Sequence, residues 1–103
     1  MYTTTFEKRG NVLTVKPVET LDAANAPELE KDLRQHLDQD VQEIIMDFSG
    51  VDYIASAGMR VILAAEQKME ERDGSLRLIQ VNAEIMEVFD LVGFLDIIDA
   101  EEA

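Results

Sequence analysis

The sequence contains no cysteine and no tryptophan, and its only histidine is His36. Without cysteine, neither a disulfide framework nor a thiolate metal site can form, which fits a reducing compartment. A Ser-His-Asp site would have to use His36, but this residue falls late in a predicted helix and is typical of a surface position. The sequence therefore carries no signature of a cysteine- or histidine-based enzyme.

Long apolar runs and phosphate-binding motifs are also missing. No stretch of about 18 apolar residues occurs, so we expect no transmembrane helix. The start, "MYTTTFEKRG", lacks the apolar core of a secretory signal. Neither G-x-x-x-x-G-K nor G-x-G-x-x-G is present. Asp22, Asp47 and Asp52 could approach one another at a sheet edge, but their spacing demands no metal, and loop capping suits them better. We predict no catalytic residue, no cofactor and no metal site, and we expect a cytoplasmic protein.

Basic residues are scarce. Nine Lys and Arg face 22 Asp and Glu, and the formal net charge is -13. A field of this sign repels nucleic acid and anionic lipid. It favours a partner with a basic surface, although solubility alone would also account for it. We therefore expect no nucleic-acid partner and no direct membrane insertion.

Strand and helix patterns alternate along the 103 residues. Two segments rich in Thr, Val and Phe flank a turn at 9–11 and predict a hairpin. "EIIMDF" and "SLRLIQV" predict two further strands, the first covered on both faces because its apolar residues are consecutive. Apolar residues at helical spacing predict three helices, with the stripes Ala26, Leu29, Leu33 and Leu37; Val61, Ile62, Ala65 and Met69; and Ile85, Val88, Phe89 and Val92.

This order predicts an α/β fold, with a mixed sheet of four to five strands flanked by helices. We expect one domain over residues 1–103, ending in a short solvated tail at 99–103. Asn25 and Asn82 are the expected caps of the first and third helices, and Gly93 suits a left-handed C-terminal position. Functional loops in such sheets gather at the carboxyl ends of strands, which singles out residues 20–25 and 47–58.

Ser56 stands out within the second of these loops. It lies among small residues just before a helix expected over about 57–71. A serine in this place is most often a helix N-cap, but helix N-termini also hold phosphate well. Gly58 allows either a close backbone contact or a tight turn. Met59 either fills the core or reaches a partner.

The segment "IIMDFSGVDYIASAGMRVIL" resembles the central signature of STAS domains, the family of the anti-sigma factor antagonists. "VETLDAANAPELEKDL" and "IMEVFDLVGFLDII" resemble the first and last helical regions of that family, so the resemblance spans nearly the whole chain. It implies a binding module and not an enzyme. The implied partners are an anti-sigma factor of the serine kinase type, which phosphorylates the antagonist and so releases it, and a PP2C-like phosphatase that reverses this.

The turn departs from the family's frequent Asp-Ser-Ser-Gly form. Ala57 occupies the usual acceptor position, and Ser56 precedes it; variants with Ser-Ala-Gly also occur, and in them Ser56 is the natural acceptor. We therefore predict Ser56 as the phosphorylation site. The predicted partner-binding residues are Asp22, Asn25, Asp52, Ala55, Ala57, Gly58, Met59 and Arg60. The alternatives are an unphosphorylated STAS scaffold, for instance an accessory subunit of a membrane transport complex, and a small phosphoryl carrier or hydrolase.

Overall fold

The computed structural model describes residues 3–103 and shows helices and strands alternating along them, as predicted. The strands are β1 (Thr3–Arg9), β2 (Val12–Leu21), β3 (Glu43–Asp47), β4 (Gly50–Ile54), β5 (Ser75–Val81) and β6 (Asp99–Glu102). The helices are α1 (Ala26–His36), α2 (Ser56–Glu71) and α3 (Ala83–Leu91), and a 3₁₀ turn, Phe94–Asp96, follows α3.

The strands form one mixed sheet, which confirms the predicted α/β class. Five of them lie in the order β1-β2-β3-β5-β6, and β4 pairs with β2 off this path. The β1–β2 hairpin is antiparallel, whereas all other pairs are parallel. Since successive crossovers move across the sheet in one direction and right-handed connections are the rule, the helices lie on one face.

The long strand β2 pairs with two short strands in succession. Residues 12–15 of β2 pair with β3, and residues 18–21 pair with β4. The register shifts beside Glu19, whose φ is 66°. The prediction of a loop over residues 47–58 is therefore wrong for β4. Val51 and Ile54 are buried in it, and β2 is long enough to pair with both strands.

Burial alternates along β3 and the first half of β5, as expected for a sheet covered on one face. Ile44 and Met46 of β3 are buried, whereas Ile45 between them is only half-buried and lies opposite Arg77 of β5. The prediction that β3 is covered on both faces is therefore wrong. Three consecutive apolar residues do not require helices on both faces of the sheet. Neighbouring side chains on the open face are enough to cover part of Ile45.

The end of α3 is more exposed than its apolar stripe predicts. Ile85 and Phe89 are buried, but Val88 is 40% and Val92 60% exposed. The chain turns at Gly93, which has the predicted left-handed conformation with φ of 75°. Phe94 then returns against Phe89, with ring centroids 4.5 Å apart. Phe94 and Ile98 are buried beside α3 and occupy the part of the core that the apolar stripe had predicted for Val88 and Val92.

Residues 99–102 form β6 and not the expected solvated tail. β6 is parallel to β5, with Arg77 opposite Asp99 and Leu78 opposite Ala100. Beyond the strand, the Ala103 N–H donates to the Val81 carbonyl at 2.9 Å. The side chains of this segment are mostly exposed, as their polarity suggests. The polar composition did not reveal the strand, because backbone pairing requires no apolar side chain.

Candidate functional site

Two chain segments meet where the parallel strands β2 and β4 end. Leu21 and Ile54 lie opposite each other at these ends. The Ala55 N–H donates to the Leu21 carbonyl at 2.8 Å, which ties the entry of α2 to the loop before α1. The structure thus brings the 20–25 and 55–60 segments together at the carboxyl ends of these strands.

Gly58 makes this approach possible. It is buried in the first turn of α2, and a Cβ atom placed on it would lie 2.9 Å from Cγ1 of Ile54 and 3.1 Å from the Leu21 carbonyl oxygen. Contacts this short exclude any side chain without a local shift. Of the two roles left open by the sequence, close packing is the one that the structure supports.

Ser56 is the first residue of α2 and not its cap. The N-cap position belongs to Ala55, with φ -98° and ψ 172°, which has no side chain able to accept a hydrogen bond. Ser56 is exposed, and its hydroxyl has no hydrogen-bond partner within residues 3–103. The interpretation of Ser56 as an N-cap is therefore wrong, because the helix begins one residue earlier than the pattern indicates. Its Oγ is left free for chemistry.

The electrostatic setting of Ser56 suits an anion. The first turn of α2 contains no acidic residue, whereas the first turns of α1 and α3 contain Glu28 and Glu84. Arg60 is exposed and lies one helical turn after Ser56, on the same face of α2. A negative group on Ser56 would thus meet unpaired N–H groups, the positive end of the helix dipole and a cation.

The 20–25 loop is held by its own side chains. Asn25 is at the N-cap position of α1, as predicted, but its side chain makes no cap hydrogen bond. Its Oδ1 accepts from the Asp22 N–H at 2.9 Å, and its Nδ2 donates to the Thr20 carbonyl. Asp22 Oδ1 accepts from the Ala24 N–H at 3.0 Å. Asp22 and Asn25 therefore fix the shape of the loop that lies beside α2.

The other predicted site residues differ in exposure. Asp52 and Arg60 are exposed, whereas Ala55, Ala57 and Met59 are half-buried, and Met59 packs against the core. Tyr53 was missed by the sequence analysis, although its side chain is 57% exposed on β4, three residues before Ser56. Tyrosine is frequent in the energetic centres of interfaces. An alternating pattern could not have identified it, because the adjacent Asp52 and Tyr53 are both exposed, whereas Val51 and Ile54 on either side are buried.

Residues 3–103 contain no candidate metal-binding site. No group of three or more His, Cys, Asp or Glu side chains in this range is placed to hold a metal ion. Asp47 Oδ1 instead accepts from the Ser49 N–H at 2.9 Å, in the turn between β3 and β4. Of the helices that the structure describes, none is sufficiently long and apolar to cross a bilayer.

The fold is that of a STAS domain. The STAS domain family matches residues 3–103, and the chain belongs to this family. BtrV of Bordetella bronchiseptica, assigned as an anti-sigma factor antagonist, is 35% identical over 77 residues. These cover 75% of this chain and 66% of BtrV, so the chain spans just under two thirds of that relative.

Solved structures share the fold at low identity. An anti-sigma factor antagonist from Mycobacterium paratuberculosis has a TM-score of 0.87 at 18% identity, over 100% of this chain and 87% of that one. The phosphorylated form of the Bacillus cell fate determinant SpoIIAA has a TM-score of 0.74 at 17% identity, over 95% of this chain and 90% of that one.

Proposed function

We propose that this protein is an anti-sigma factor antagonist that is switched by phosphorylation of Ser56. In the unphosphorylated form it binds an anti-sigma factor of the serine kinase type through the α2 entry and the adjacent 20–25 loop. The observation that carries the proposal is the exposed Ser56 hydroxyl, free of protein hydrogen bonds within residues 3–103, at the start of a helix that no side chain caps.

The covalent step is an ordinary phosphoryl transfer. Ser56 Oγ forms a bond to the γ-phosphorus of ATP, the bond from that phosphorus to the bridging oxygen breaks, and ADP leaves. The hydroxyl proton passes to a base of the kinase. A PP2C-like phosphatase returns the serine by hydrolysis. Ala57, at the frequent acceptor position of the family, has no hydroxyl, which supports the neighbouring Ser56 as the acceptor.

Phosphorylation should leave the free domain folded. The phosphate adds a charge of about -1.5 to -2. It lies at the N-terminal end of α2, whose first turn contains no acidic residue, and Arg60 is one turn away on the same face of the helix. Both interactions stabilise an anion at a helix N-terminus.

In the complex with the partner, the same charge is unfavourable and weakens binding. The methyl groups of Ala55 and Ala57 flank Ser56, so a partner can approach the backbone closely and meet a small neutral hydroxyl. A phosphate placed there must be desolvated against a surface shaped for that hydroxyl. Since about 1.4 kcal/mol lowers affinity tenfold, partial desolvation is enough to release the partner.

The test uses the kinase-type anti-sigma factor with ATP, followed by mapping of phosphate among the serines Ser49, Ser56 and Ser75. Binding is then measured for Ser56→Ala and Ser56→Asp by calorimetry. Ser75→Asp is the matched control, because Ser75 is also exposed but begins β5 at the opposite end of the strands.

We expect phosphate on Ser56 alone, tight binding by Ser56→Ala regardless of ATP, and binding by Ser56→Asp that is at least about tenfold weaker. Ser75→Asp should bind like the parent. Absence of phosphate at Ser56, together with parental binding by Ser56→Asp, would contradict the switch. The protein would then be a constitutive scaffold, such as an accessory subunit of a membrane transport complex.

The charge of -13 adds a kinetic expectation. A basic patch on the partner should steer association, and salt should screen this steering. The association rate should therefore fall between low and high ionic strength. A rate that does not depend on salt would remove the role assigned to charge, whereas measurable binding to duplex DNA at moderate salt would count against the proposed function itself.

A further inference from the structure

Four large apolar side chains are exposed at the end of α3 and in the segment after it. They are Val88 (40% exposed), Leu91 (80%), Val92 (60%) and Ile97 (62%), here called the α3 surface. The first three are spaced i, i+3 and i+4 and so share one side of the helix. Among the side chains whose burial the structure describes, Tyr53 is the only other large hydrophobic one with comparable exposure. The exposed apolar residues are therefore concentrated and not scattered.

The fold does not need the α3 surface. Ile85 and Phe89 supply the buried side of α3, and Phe94 and Ile98 complete the core beside them. The residues of the α3 surface are thus apolar, although the core does not use them. Concentrated exposed apolar residues of this kind mark interaction sites in folded proteins.

The charged residues of α3 and of the chain after it all have one sign. The last basic residue of the sequence is Arg77, and residues 82–103 contain seven acidic residues. Glu84, Glu87 and Asp90 are the charged residues of α3, and all three are exposed. Among the described residues none of these three has an ion-pair partner. By helical spacing Glu84 falls in line with Val88 and Leu91, and Glu87 and Asp90 fall on one side of them. Such a surface is complementary to an apolar stripe that has cations beside it.

We propose that the α3 surface binds an amphipathic helix of a partner protein, with apolar residues along one side and Lys or Arg beside them. The apolar side would lie on Leu91 and its neighbours, and the cations would pair with Glu84, Glu87 and Asp90. The partner helix would present its apolar anchors at helical spacing, as amphipathic helices do in other complexes. A second copy of this chain would place carboxylates against carboxylates, and an anionic bilayer would be repelled in the same way.

The α3 surface differs from the Ser56 site. α3 begins near the carboxyl ends of the strands, where Asn82 Nδ2 donates to the Val51 carbonyl at 3.2 Å. It then runs back along the sheet for nine residues, which is about 14 Å. Its last turn therefore lies toward the amino ends of the strands, whereas α2 starts at their carboxyl ends. The two surfaces can be occupied independently, and this inference does not rest on the proposed function.

The test uses two synthetic helical peptides with the same Leu stripe, one with Lys and one with Glu at the flanking positions. Each is titrated into the isotopically labelled protein at low and moderate salt, and binding is followed by amide chemical shifts. Leu91→Gln is the principal variant, because it removes the most exposed apolar side chain without changing charge. Tyr53→Gln is the matched control for an exposed apolar residue elsewhere.

We expect the Lys peptide to shift amides within residues 84–97 and to bind at least tenfold more tightly than the Glu peptide. Leu91→Gln should weaken it at least tenfold, whereas Tyr53→Gln and Ser56→Asp should leave it unchanged. Equal affinity for parent and Leu91→Gln, with shifts spread over the acidic surface, would overturn the proposal in favour of unspecific charge attraction. Sedimentation showing a dimer that Leu91→Gln dissociates, or binding to anionic vesicles in preference to the Lys peptide, would also overturn it.

Discussion

The imidazole of His36 stacks on the ring of Phe6, with centroids 4.1 Å apart and planes only 2° from parallel. This contact joins the end of α1 to the hairpin strand β1, while His36 Nδ1 lies 2.8 Å from the Asp32 carbonyl oxygen. The only histidine of the chain thus has a packing role and a local hydrogen bond.

A double-mutant cycle should therefore detect coupling between these two rings. His36→Ala and Phe6→Leu, alone and combined, should give a coupling energy of about 1 kcal/mol in urea unfolding, the usual range for a ring pair. His36→Phe, which keeps a ring, should retain most of it. Strict additivity of the two single changes would show that the stack contributes nothing to stability.

Gly58→Ala should destabilise the fold, because its Cβ would lie 3.0 Å or less from side-chain atoms of Leu21 and Ile54. Overpacking of this kind costs about 1–3 kcal/mol. Ser56→Ala is the matched control in the same helical turn. Since the Ser56 side chain caps nothing, its removal should change the free energy of unfolding by no more than about 0.5 kcal/mol. A stable Gly58→Ala variant would mean that the α2 entry can move away from β2.

Asn82 makes two separable hydrogen bonds. Its Oδ1 accepts from the Ile85 N–H at 2.8 Å, which confirms it as the cap of α3, and its Nδ2 donates to the Val51 carbonyl. Asn82→Ala removes both and should cost about 2 kcal/mol, whereas Asn82→Asp keeps the cap and should cost about half of that. Chemical denaturation measures both values. If Asn82→Asp were as stable as the parent, the bond to Val51 would have no net value.

Glu66 should lower stability at neutral pH. Burial raises the pKa of its carboxyl, and the nearby charges of Glu70 and Asp99 raise it further. Because the folded-state pKa lies above the unfolded value of about 4.5, the charged form is disfavoured in the fold, and this cost is relieved as the pH falls through the folded-state pKa. Glu66→Gln should therefore raise the melting temperature at pH 7, with a gain that shrinks toward pH 4.

Glu87→Gln on α3 is the control for removal of one charge from an acidic protein. It should give a smaller rise in melting temperature, since Glu87 is exposed. A gain for Glu66→Gln that persists unchanged at low pH would assign the effect to helix propensity or packing and not to ionisation.

Much of this protein could be predicted from local sequence pattern. The alternation of periods predicted the α/β order, and Asn82 and Gly93 were recognised because a cap and a left-handed turn each require particular residue types. The segment from Ile44 to Leu63 carries the resemblance to STAS domains, which the family match confirms. These features depend on residues close together in the chain, so composition and spacing are enough to predict them.

Other features were decided only by tertiary structure. β4 and β6 depend on the edges of β2 and β5, and backbone pairing with these edges leaves little trace in side-chain polarity. Ile45 and Val88 are apolar residues in regular patterns, yet their burial depends on whether another layer covers that side. The return of Phe94 onto Phe89 decided this for α3. Ser56 became the first residue of α2, and not its cap, because the bond from the Ala55 N–H to Leu21 sets where the helix begins. That bond joins residues 34 positions apart, which no local pattern can encode.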